Sequence, residues 1–345
     1  MNSEDQAQRY AAVLLGGHLG DSLGGPIETW TPPEIAQHYG KVNGLIAATL
    51  YRDAHGTIVP GDRAGGNWHA QQRPGEPSDD TILTIAVARA VAHHGYDIDA
   101  VAREHVDAIA IRQLPDGSIS GGFGKTTLHA IKRLVAGIPP QESGVNGMGN
   151  APPMKMAPVG LYAHATHSYT TGMSFAALVG RMTHTDDRSI AAGVTQAHAI
   201  YALLMGSDRK ESLQNMIRVA YATESSTTTT SDTSITHRLR WVERHQDASV
   251  DEALAVIGND GRAFSSYPFT VFMHQRHWDT PLEGLIETIN LGGDADTNGA
   301  MYGALAAAHH GRFWPAEWEE RLEERAACIT LGHRIAQAGR DKGAI

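Results

Sequence analysis

Residues 81–94, TILTIAVARAVAHH, carry the clearest folding signal in the chain. From Ile82 onward, apolar side chains recur every three or four positions, which lines one face of a helix, and Gly95 follows where a helix would end. Similar patterns predict helices at Ser189–Met205, Asn298–His310 and Pro315–Ile335. Shorter helices are predicted at Ala11–Leu19, Thr126–Val135, Ser174–Val179, Ser212–Ala222, Val250–Ile257 and Leu282–Asn290. Alternation of apolar and polar residues with a period of two is nearly absent, and Leu45–Tyr51 is the only segment predicted to be a strand. The sequence therefore predicts an all-α fold.

The composition narrows the class of protein and its surroundings. The chain has 345 residues, with 28 Lys and Arg against 38 Asp and Glu, for a formal net charge of −10. This acidic balance argues against nucleic acid as a partner. The single cysteine, Cys328, excludes an internal disulfide framework and fits a reducing compartment. No apolar run is long enough for a membrane span, and the polar N-terminus lacks the features of a signal peptide, so we expect a cytoplasmic protein.

Three stretches rich in Gly, Pro or hydroxyl residues are predicted to be long loops: Asp53–Pro77, Gly137–Pro158 and Glu224–Thr236. Loops of this length in a compact domain are commonly functional. No stretch stands out as a linker, and no repeat with a period of about 20–50 residues is present. Residues 1–345 are therefore predicted to form a single domain.

Two acidic turns have the same form, and each directly precedes a predicted helix. Ser78–Thr81 reads Ser-Asp-Asp-Thr, and Gly292–Thr297 reads Gly-Gly-Asp-Ala-Asp-Thr. Each offers two carboxylates and a hydroxyl group, which are oxygen ligands of the kind that Mg²⁺ prefers. Four carboxylates brought together without a cation would repel one another and shift their pKa values. If the two turns face each other they would suit two metal ions; alternatively, each turn only caps its helix.

Other local motifs fail on spacing. The sequence from Asp294 matches the start of a calcium-binding loop, but Leu305 stands where that loop needs a glutamate. Gly121–Thr126 resembles a phosphate-binding loop, yet Ile119 and Thr127 stand where the Walker and dinucleotide patterns each require glycine. A glycine-rich turn that opens a helix can still hold an anion, and a plain turn is the equal alternative.

Four segments in this order resemble the ADP-ribosylglycohydrolase family. They are Gly16–Glu28 (GGHLGDSLGGPIE), Ser78–Thr81 with its helix, Gly149–Gly160 (GNAPPMKMAPVG) and Leu291–Thr297 with its helix. Their spacing agrees with the family over about residues 10–312. The resemblance implies a compact orthogonal helix bundle with a central cleft that binds two Mg²⁺ ions, with Mn²⁺ as the alternative. It further implies a hydrolase that cleaves the N- or O-glycosidic bond of an ADP-ribosyl group, carried by a protein or a small molecule.

The resemblance also implies roles for individual residues. The metal ligands would be Ser78, Asp79, Asp80, Asp294, Asp296 and Thr297. Glu28, which closes the first segment, resembles the active-site glutamate of the family, and Asp116 falls where some members have a catalytic acid. Either carboxyl group could serve as general acid or base for a bond cleavage with an oxocarbenium-like transition state. The contacts to ADP-ribose would be Gly122, Gly124, Asn150 and His184.

The third segment departs from the family pattern. Where the family commonly has Gly-Asn-Gly-Ala-Ala-Met-Arg, this chain has Gly-Asn-Ala-Pro-Pro-Met-Lys at residues 149–155. Lys155 supplies a point charge instead of the planar guanidinium fork of arginine. The substrate is therefore open between an ADP-ribosyl group and a small nucleoside-like N-glycoside, and a non-catalytic ADP-ribose-binding relative is a third alternative. The sequence leaves the acceptor and the oligomeric state open.

Overall fold

The computed structural model describes residues 3–52, 55–61, 71–115 and 117–343. Within these residues the chain forms seventeen α-helices and one two-stranded antiparallel sheet, so the all-α prediction is confirmed. The helices are α1 (Ser3–Gly24), α2 (Pro32–His38), α3 (Asp79–His94), α4 (Ile98–Ala110), α5 (Lys125–Val135), α6 (Ala151–Met154), α7 (Ala157–Ala165), α8 (Tyr169–Arg181), α9 (Asp187–Leu204), α10 (Arg209–Thr223), α11 (Ile235–Arg244), α12 (Val250–Val256), α13 (Ala263–Arg276), α14 (Pro281–Asn290), α15 (Ala295–His310), α16 (Ala316–Glu319) and α17 (Arg325–Gly343). The strands are β1 (Leu50–Arg52) and β2 (Ile58–Pro60).

Most predicted helices are present with small shifts at their ends. Helices α3, α9 and α15 begin two or three residues before their predicted starts, because polar residues form their first turns. The prediction at Pro315–Ile335 was wrong, since two helices, α16 and α17, occupy this region. Between them the backbone N–H of Glu323 donates to the carbonyl of Gly75 at 3.0 Å, so a contact with a distant loop replaces a helical hydrogen bond.

The loop and strand predictions were only partly right. Gly137–Pro158 was predicted to be a loop, but it contains α6 and the start of α7. Of Leu45–Tyr51, only the last two residues belong to β1, which pairs with β2. The predicted loop Asp53–Pro77 contains β2, and residues 53–54 and 62–70 of it lie outside the described residues. Glu224–Thr236 consists mainly of turns and ends in the first residues of α11.

Helices α1 and α15 run antiparallel with their backbones in direct contact, forming a glycine seam through the core. A Cβ atom at Gly20 would lie 1.9 Å from the carbonyl oxygen of Gly299, and one at Gly24 would lie 2.2 Å from that of Ala295. Only glycine therefore permits this helix separation. As a result, the C-terminal end of α1, and Glu28 just beyond it, lie beside the start of α15.

None of the helices in the described part of the chain is both long and apolar enough to span a bilayer.

Candidate active site

The start of α3 is held in place by a buried carboxylate on α1. Asp21 accepts hydrogen bonds from the backbone N–H of Ser78 at 3.0 Å and of Thr81 at 3.2 Å, and from the Thr81 hydroxyl at 2.5 Å. Burial raises the pKa of Asp21 to about 6, against the lowering effect of these hydrogen bonds. Asp21 therefore fixes the first acidic turn relative to α1. No local sequence pattern indicated this role, and only its place inside the segment Gly16–Glu28 pointed to Asp21.

The start of α15 is fixed from two sides. Gly292 and Gly293 both have a φ of +65°, which allows a tight turn directly before Asp294. The backbone N–H of Thr29 donates to the carbonyl of Gly293 at 2.6 Å, and the N–H of Gly293 donates to the carbonyl of Trp30 at 3.0 Å. These two hydrogen bonds tie the segment that follows Glu28 to the second acidic turn.

The two acidic turns meet in one cleft. The hydroxyl of Thr297 donates to Oδ2 of Asp80 at 3.2 Å, although 217 positions separate the two residues. Oxygen atoms of Glu28, Asp294 and Asp296 lie within 4.8 Å of one another, an arrangement that could hold a metal ion. The cleft has a volume of about 210 Å³.

Burial and crowding disfavour the ionised forms of these carboxyl groups. The pKa of Asp80 is raised well above its usual value by burial and by the charges of Asp21, Asp79 and Asp294. Burial and the charge of Glu28 raise the pKa of Asp294 to about 7, and the same two causes raise the pKa of Asp296 well above its usual value. A divalent cation among these oxygens would stabilise the ionised forms.

The contacts of the two turns show which of their residues cap a helix and which could bind a metal ion. Ser78 does cap α3, since its hydroxyl oxygen accepts from the backbone N–H of Asp80 at 3.2 Å. Asp294 makes no such capping bond; its carboxylate accepts instead from the side-chain amide of Asn150. The buried Oδ1 of Asp80 has no hydrogen-bond partner among the described residues. An all-oxygen donor set with an unsatisfied buried carboxylate oxygen fits a hard divalent cation.

Ten of the twelve predicted site residues line this cleft: Glu28, Asp79, Asp80, Gly122, Gly124, Asn150, His184, Asp294, Asp296 and Thr297. Ser78 lies just behind the cleft wall, fully buried, and its hydroxyl donates to Oδ2 of Asp80 at 3.1 Å. Asp116 lies outside the described residues. The cleft is also lined by Lys125 and Thr126 at the start of α5, which belong to the glycine-rich turn that the sequence indicated as a possible anion site.

A buried lysine lies behind His184. The Lys155 ammonium is fully buried and donates to the Thr183 hydroxyl at 3.3 Å, and this hydroxyl lies 3.0 Å from Nδ1 of His184. Burial and the nearby charge of Lys155 lower the pKa of His184 to about 3, so its ring is neutral at physiological pH. Burial also lowers the pKa of Lys155, to about 7, although the charge of Asp79 opposes this effect. Lys155, one of the residues that depart from the family pattern, therefore lowers the pKa of His184 from behind the cleft wall.

Comparison with known proteins agrees with this geometry. A protein-family model described as ADP-ribosylglycohydrolase matches residues 2–344. The chain belongs to the ADP-ribosylglycohydrolase family. As a member of the ADP-ribosylglycohydrolases, it is a hydrolase that cleaves glycosidic bonds, and the resemblance found in its sequence is confirmed.

Two relatives and one solved structure are similar to this ADP-ribosylglycohydrolase over nearly its whole length. The ADP-ribosyl-[dinitrogen reductase] glycohydrolase of Rhodospirillum rubrum is 27% identical, and the match covers 96% of this chain and 97% of the relative. The ADP-ribosylhydrolase ARH3 of Mus musculus is 26% identical, with 95% and 92% covered. A structure titled "ADP-ribosylglycohydrolase-related protein complex" shares the fold, with a TM-score of 0.70, 22% identity, and coverage of 97% of this chain and 99% of the other.

Proposed function

We propose that this chain hydrolyses the N- or O-glycosidic bond between an ADP-ribosyl group and its acceptor, using two divalent cations held by the two acidic turns. The observation that carries the proposal is the meeting of these turns, with the Thr297 hydroxyl 3.2 Å from a carboxylate oxygen of Asp80 in a shared cleft. The family and the two relatives named for ADP-ribosyl substrates support the substrate class.

The cation ligands would be Ser78, Asp79, Asp80, Asp294, Asp296 and Thr297. When bound, the two ions, Mg²⁺ or Mn²⁺, would orient the ribose hydroxyl groups and, as Lewis acids, would activate the attacking water. Burial and the charges of the neighbouring carboxylates raise the pKa of both Asp80 and Asp296, so cation binding would relieve the repulsion within this cluster.

The residues around the cations would bind and polarise the substrate. The turn at Gly122 and Gly124 precedes α5, whose backbone N–H groups and Lys125 suit the diphosphate of ADP-ribose. Asn150 and the neutral ring of His184 offer uncharged polar contacts to ribose or phosphate oxygens. Glu28 would act as general acid or base at the bond that breaks, and Asp116 remains the alternative acid predicted from the sequence.

The substrate proposed is an ADP-ribosylated protein, as the names of the two relatives suggest. The proposed compartment is the cytoplasm, where the single cysteine would stay reduced.

Hydrolysis assays with charge-neutralised variants test the proposal. The protein with Mg²⁺ is incubated with ADP-ribosyl-arginine, ADP-ribosyl-serine and free nucleosides, and the ADP-ribose or ribose released is measured. We expect Asp79→Asn and Asp296→Asn to abolish release while circular dichroism and thermal unfolding remain native-like. Asp99→Asn, at an exposed position of α4, is the matched control. Full activity in both cleft variants would rule the proposal out. Release of ribose from free nucleosides alone would show that the substrate is a nucleoside-like N-glycoside and not an ADP-ribosyl group.

A further inference from the structure

His184 presents one ring nitrogen to the cleft and the other to the protein interior. A Cβ atom at Gly149, which also lines the cleft, would lie 3.1 Å from Nε2 of His184, so a side chain at position 149 would crowd this nitrogen. On the other side of the ring, Nδ1 lies 3.0 Å from the hydroxyl oxygen of Thr183. What Thr183 offers to Nδ1 therefore decides whether Nε2 donates or accepts a hydrogen bond in the cleft.

The backbone holds Thr183 and His184 in place. The backbone N–H of Val145 donates to the carbonyl of Thr183 at 3.2 Å, and the N–H of Thr185 donates to the carbonyl of Val145 at 3.0 Å. The carbonyl of Gly180 accepts from the backbone N–H of Thr183 at 3.2 Å and from that of His184 at 3.0 Å. Two N–H donors therefore already occupy this carbonyl oxygen, which lies 3.4 Å from the Thr183 hydroxyl.

The Lys155 ammonium sets the direction of the hydrogen bonds at Thr183. An ammonium group has three donors and no acceptor, so at 3.3 Å it donates to the Thr183 hydroxyl oxygen. The single hydroxyl proton then has two acceptors within reach, the Gly180 carbonyl at 3.4 Å and Nδ1 of His184 at 3.0 Å. The shorter contact is favoured, because the carbonyl already accepts two N–H groups. The charge of Lys155 also favours a bare lone pair on the ring nitrogen that is bonded to Thr183.

We propose that Lys155 and Thr183 are positioning residues that hold His184 in its Nε2–H tautomer, so that His184 donates a hydrogen bond to an oxygen of the ADP-ribosyl group in the cleft. The inference rests on the proposed function for the identity of that ligand, whereas the tautomer is a property of the protein alone. The hydrogen bonds run in one direction, from Lys155 through the Thr183 hydroxyl to the ring, and each polarises the next. This chain strengthens the Nε2 donor and selects ligands that present an acceptor oxygen, such as a phosphate.

The burial of Lys155 is costly, which argues for a role beyond filling space. Its side chain is fully buried, and burial lowers its pKa to about 7, although the charge of Asp79 offsets part of this cost. The same charge helps to lower the pKa of the two buried histidines His105 and His184. An apolar side chain of similar length would fill this volume without the penalty of desolvating a charge. The chain therefore retains a costly charge at the point where it orients His184.

Nuclear magnetic resonance of protein labelled with ¹⁵N-histidine tests the tautomer directly. Long-range ¹H–¹⁵N correlation spectra separate a protonated from a bare ring nitrogen, and the His184 signals are those that His184→Gln lacks. Spectra are recorded at about pH 6, below the pKa of about 7 of Lys155, so that its amine is charged. We expect the Nε2–H tautomer in the wild type and a mixture with Nδ1–H in Lys155→Met, because Thr183 can then accept from Nδ1. Lys155→Arg, which keeps the charged donors, should return the wild-type pattern.

Calorimetric titration with ADP-ribose and Mg²⁺ measures what the tautomer contributes to binding. Loss of one hydrogen bond to the ligand corresponds to about tenfold in affinity, so Lys155→Met should bind ADP-ribose about tenfold more weakly. Thr183→Ser keeps the hydroxyl and should match the wild type. Thr183→Val removes the hydroxyl while leaving Lys155 in place, and should lose as much affinity as Lys155→Met. Lys210→Met, at an exposed position of α10, is the matched control, and thermal unfolding checks that each variant is folded.

The outcomes separate this inference from the proposed function. An Nδ1–H ring in the wild type, or a tautomer that Lys155→Met leaves unchanged, would overturn the inference while hydrolysis stands. A wild type whose Nε2–H ring responds to Lys155→Met, but which binds no ADP-ribose, would instead refute the proposed function and leave the positioning roles of Lys155 and Thr183 supported.

Discussion

Replacing Asp294 by asparagine should stabilise the metal-free protein and weaken its response to Mg²⁺. Burial and the charge of Glu28 raise the pKa of Asp294 from 3.8 to about 7. Between these two values the native state keeps a proton on this group and the unfolded state does not. The free energy of unfolding of the metal-free protein therefore falls as the pH rises through this window, and stays low above it.

The magnitude follows from the size of the pKa shift. A shift from 3.8 to about 7, at about 1.4 kcal/mol for each unit, corresponds to about 4 kcal/mol above neutral pH. This is an upper limit, because neighbouring carboxyl groups share the same protonation. With an unfolding entropy of about 2 cal/mol/K per residue over 345 residues, 4 kcal/mol corresponds to about 6 °C in Tm. Asparagine does not ionise, and its amide oxygen can still accept from Asn150.

Thermal unfolding with a chelator at about pH 5 and pH 8, and then with Mg²⁺, measures both effects. Asp294→Asn should unfold several degrees above the wild type at the higher pH, and the difference should shrink at the lower pH. Mg²⁺ should raise the Tm of the wild type far more than that of the variant. Asp260→Asn is the control, and it should lower the stability of the protein instead of raising it. The Asp260 carboxylate accepts hydrogen bonds from Arg262, which outweigh burial and lower the pKa of Asp260. A wild type whose metal-free stability does not fall with pH, together with an unstabilised variant, would refute the electrostatic account of the cleft.

Two further predictions concern the framework that holds the cleft. Gly20→Ala should cost about 3 kcal/mol, since the new Cβ would lie 1.9 Å from a backbone oxygen of α15. Gly17→Ala, whose Cβ would lie no closer than 3.6 Å to any neighbouring atom, should be neutral or stabilising by up to about 1 kcal/mol. Urea unfolding compares the two, and equal stabilities would show that the seam can relax. Asp21→Asn should lower Mn²⁺ affinity about 10- to 100-fold in calorimetry, because an amide offers only one acceptor oxygen to the start of α3. Asp97→Asn, which changes the cap of α4, should leave Mn²⁺ affinity at the wild-type value, and an equal loss in both variants would contradict a specific role for Asp21.

The helices that the sequence predicted well have distinct ends and a periodic pattern. Helix α3 has Ser78 as its cap and Gly95 as its stop, and both lie within the local sequence. Helix α13 was missed because nearly all of its residues are buried and Pro268 lies inside it, so that no polar face marks its period. Helix α1 extends from Ser3 to Gly24, far beyond the predicted Ala11–Leu19, because its glycines are tolerated only through tertiary contact.

The candidate site likewise contains some residues that local sequence patterns could identify and others that they could not. The acidic turns are local patterns, so their residue types could be read from the sequence, although their meeting could only be a hypothesis. The roles of Asp21 and Lys155 depend on partners far along the chain, Ser78 for one and Thr183 for the other. Glu28 also borders a second cavity, of about 130 Å³, that is lined by residues of β1, and local sequence signals located β1 only in part.

The glycine seam has a thermodynamic consequence for ion capture. Where two helices touch through peptide groups alone, the contact contains no rotatable bonds that could adjust the spacing. The backbone that carries the oxygen cage at its end is therefore in place before an ion arrives, so that an arriving ion orders few additional backbone torsions. Ion capture should accordingly show a small entropic penalty and leave the amide spectrum of the two helices nearly unaltered.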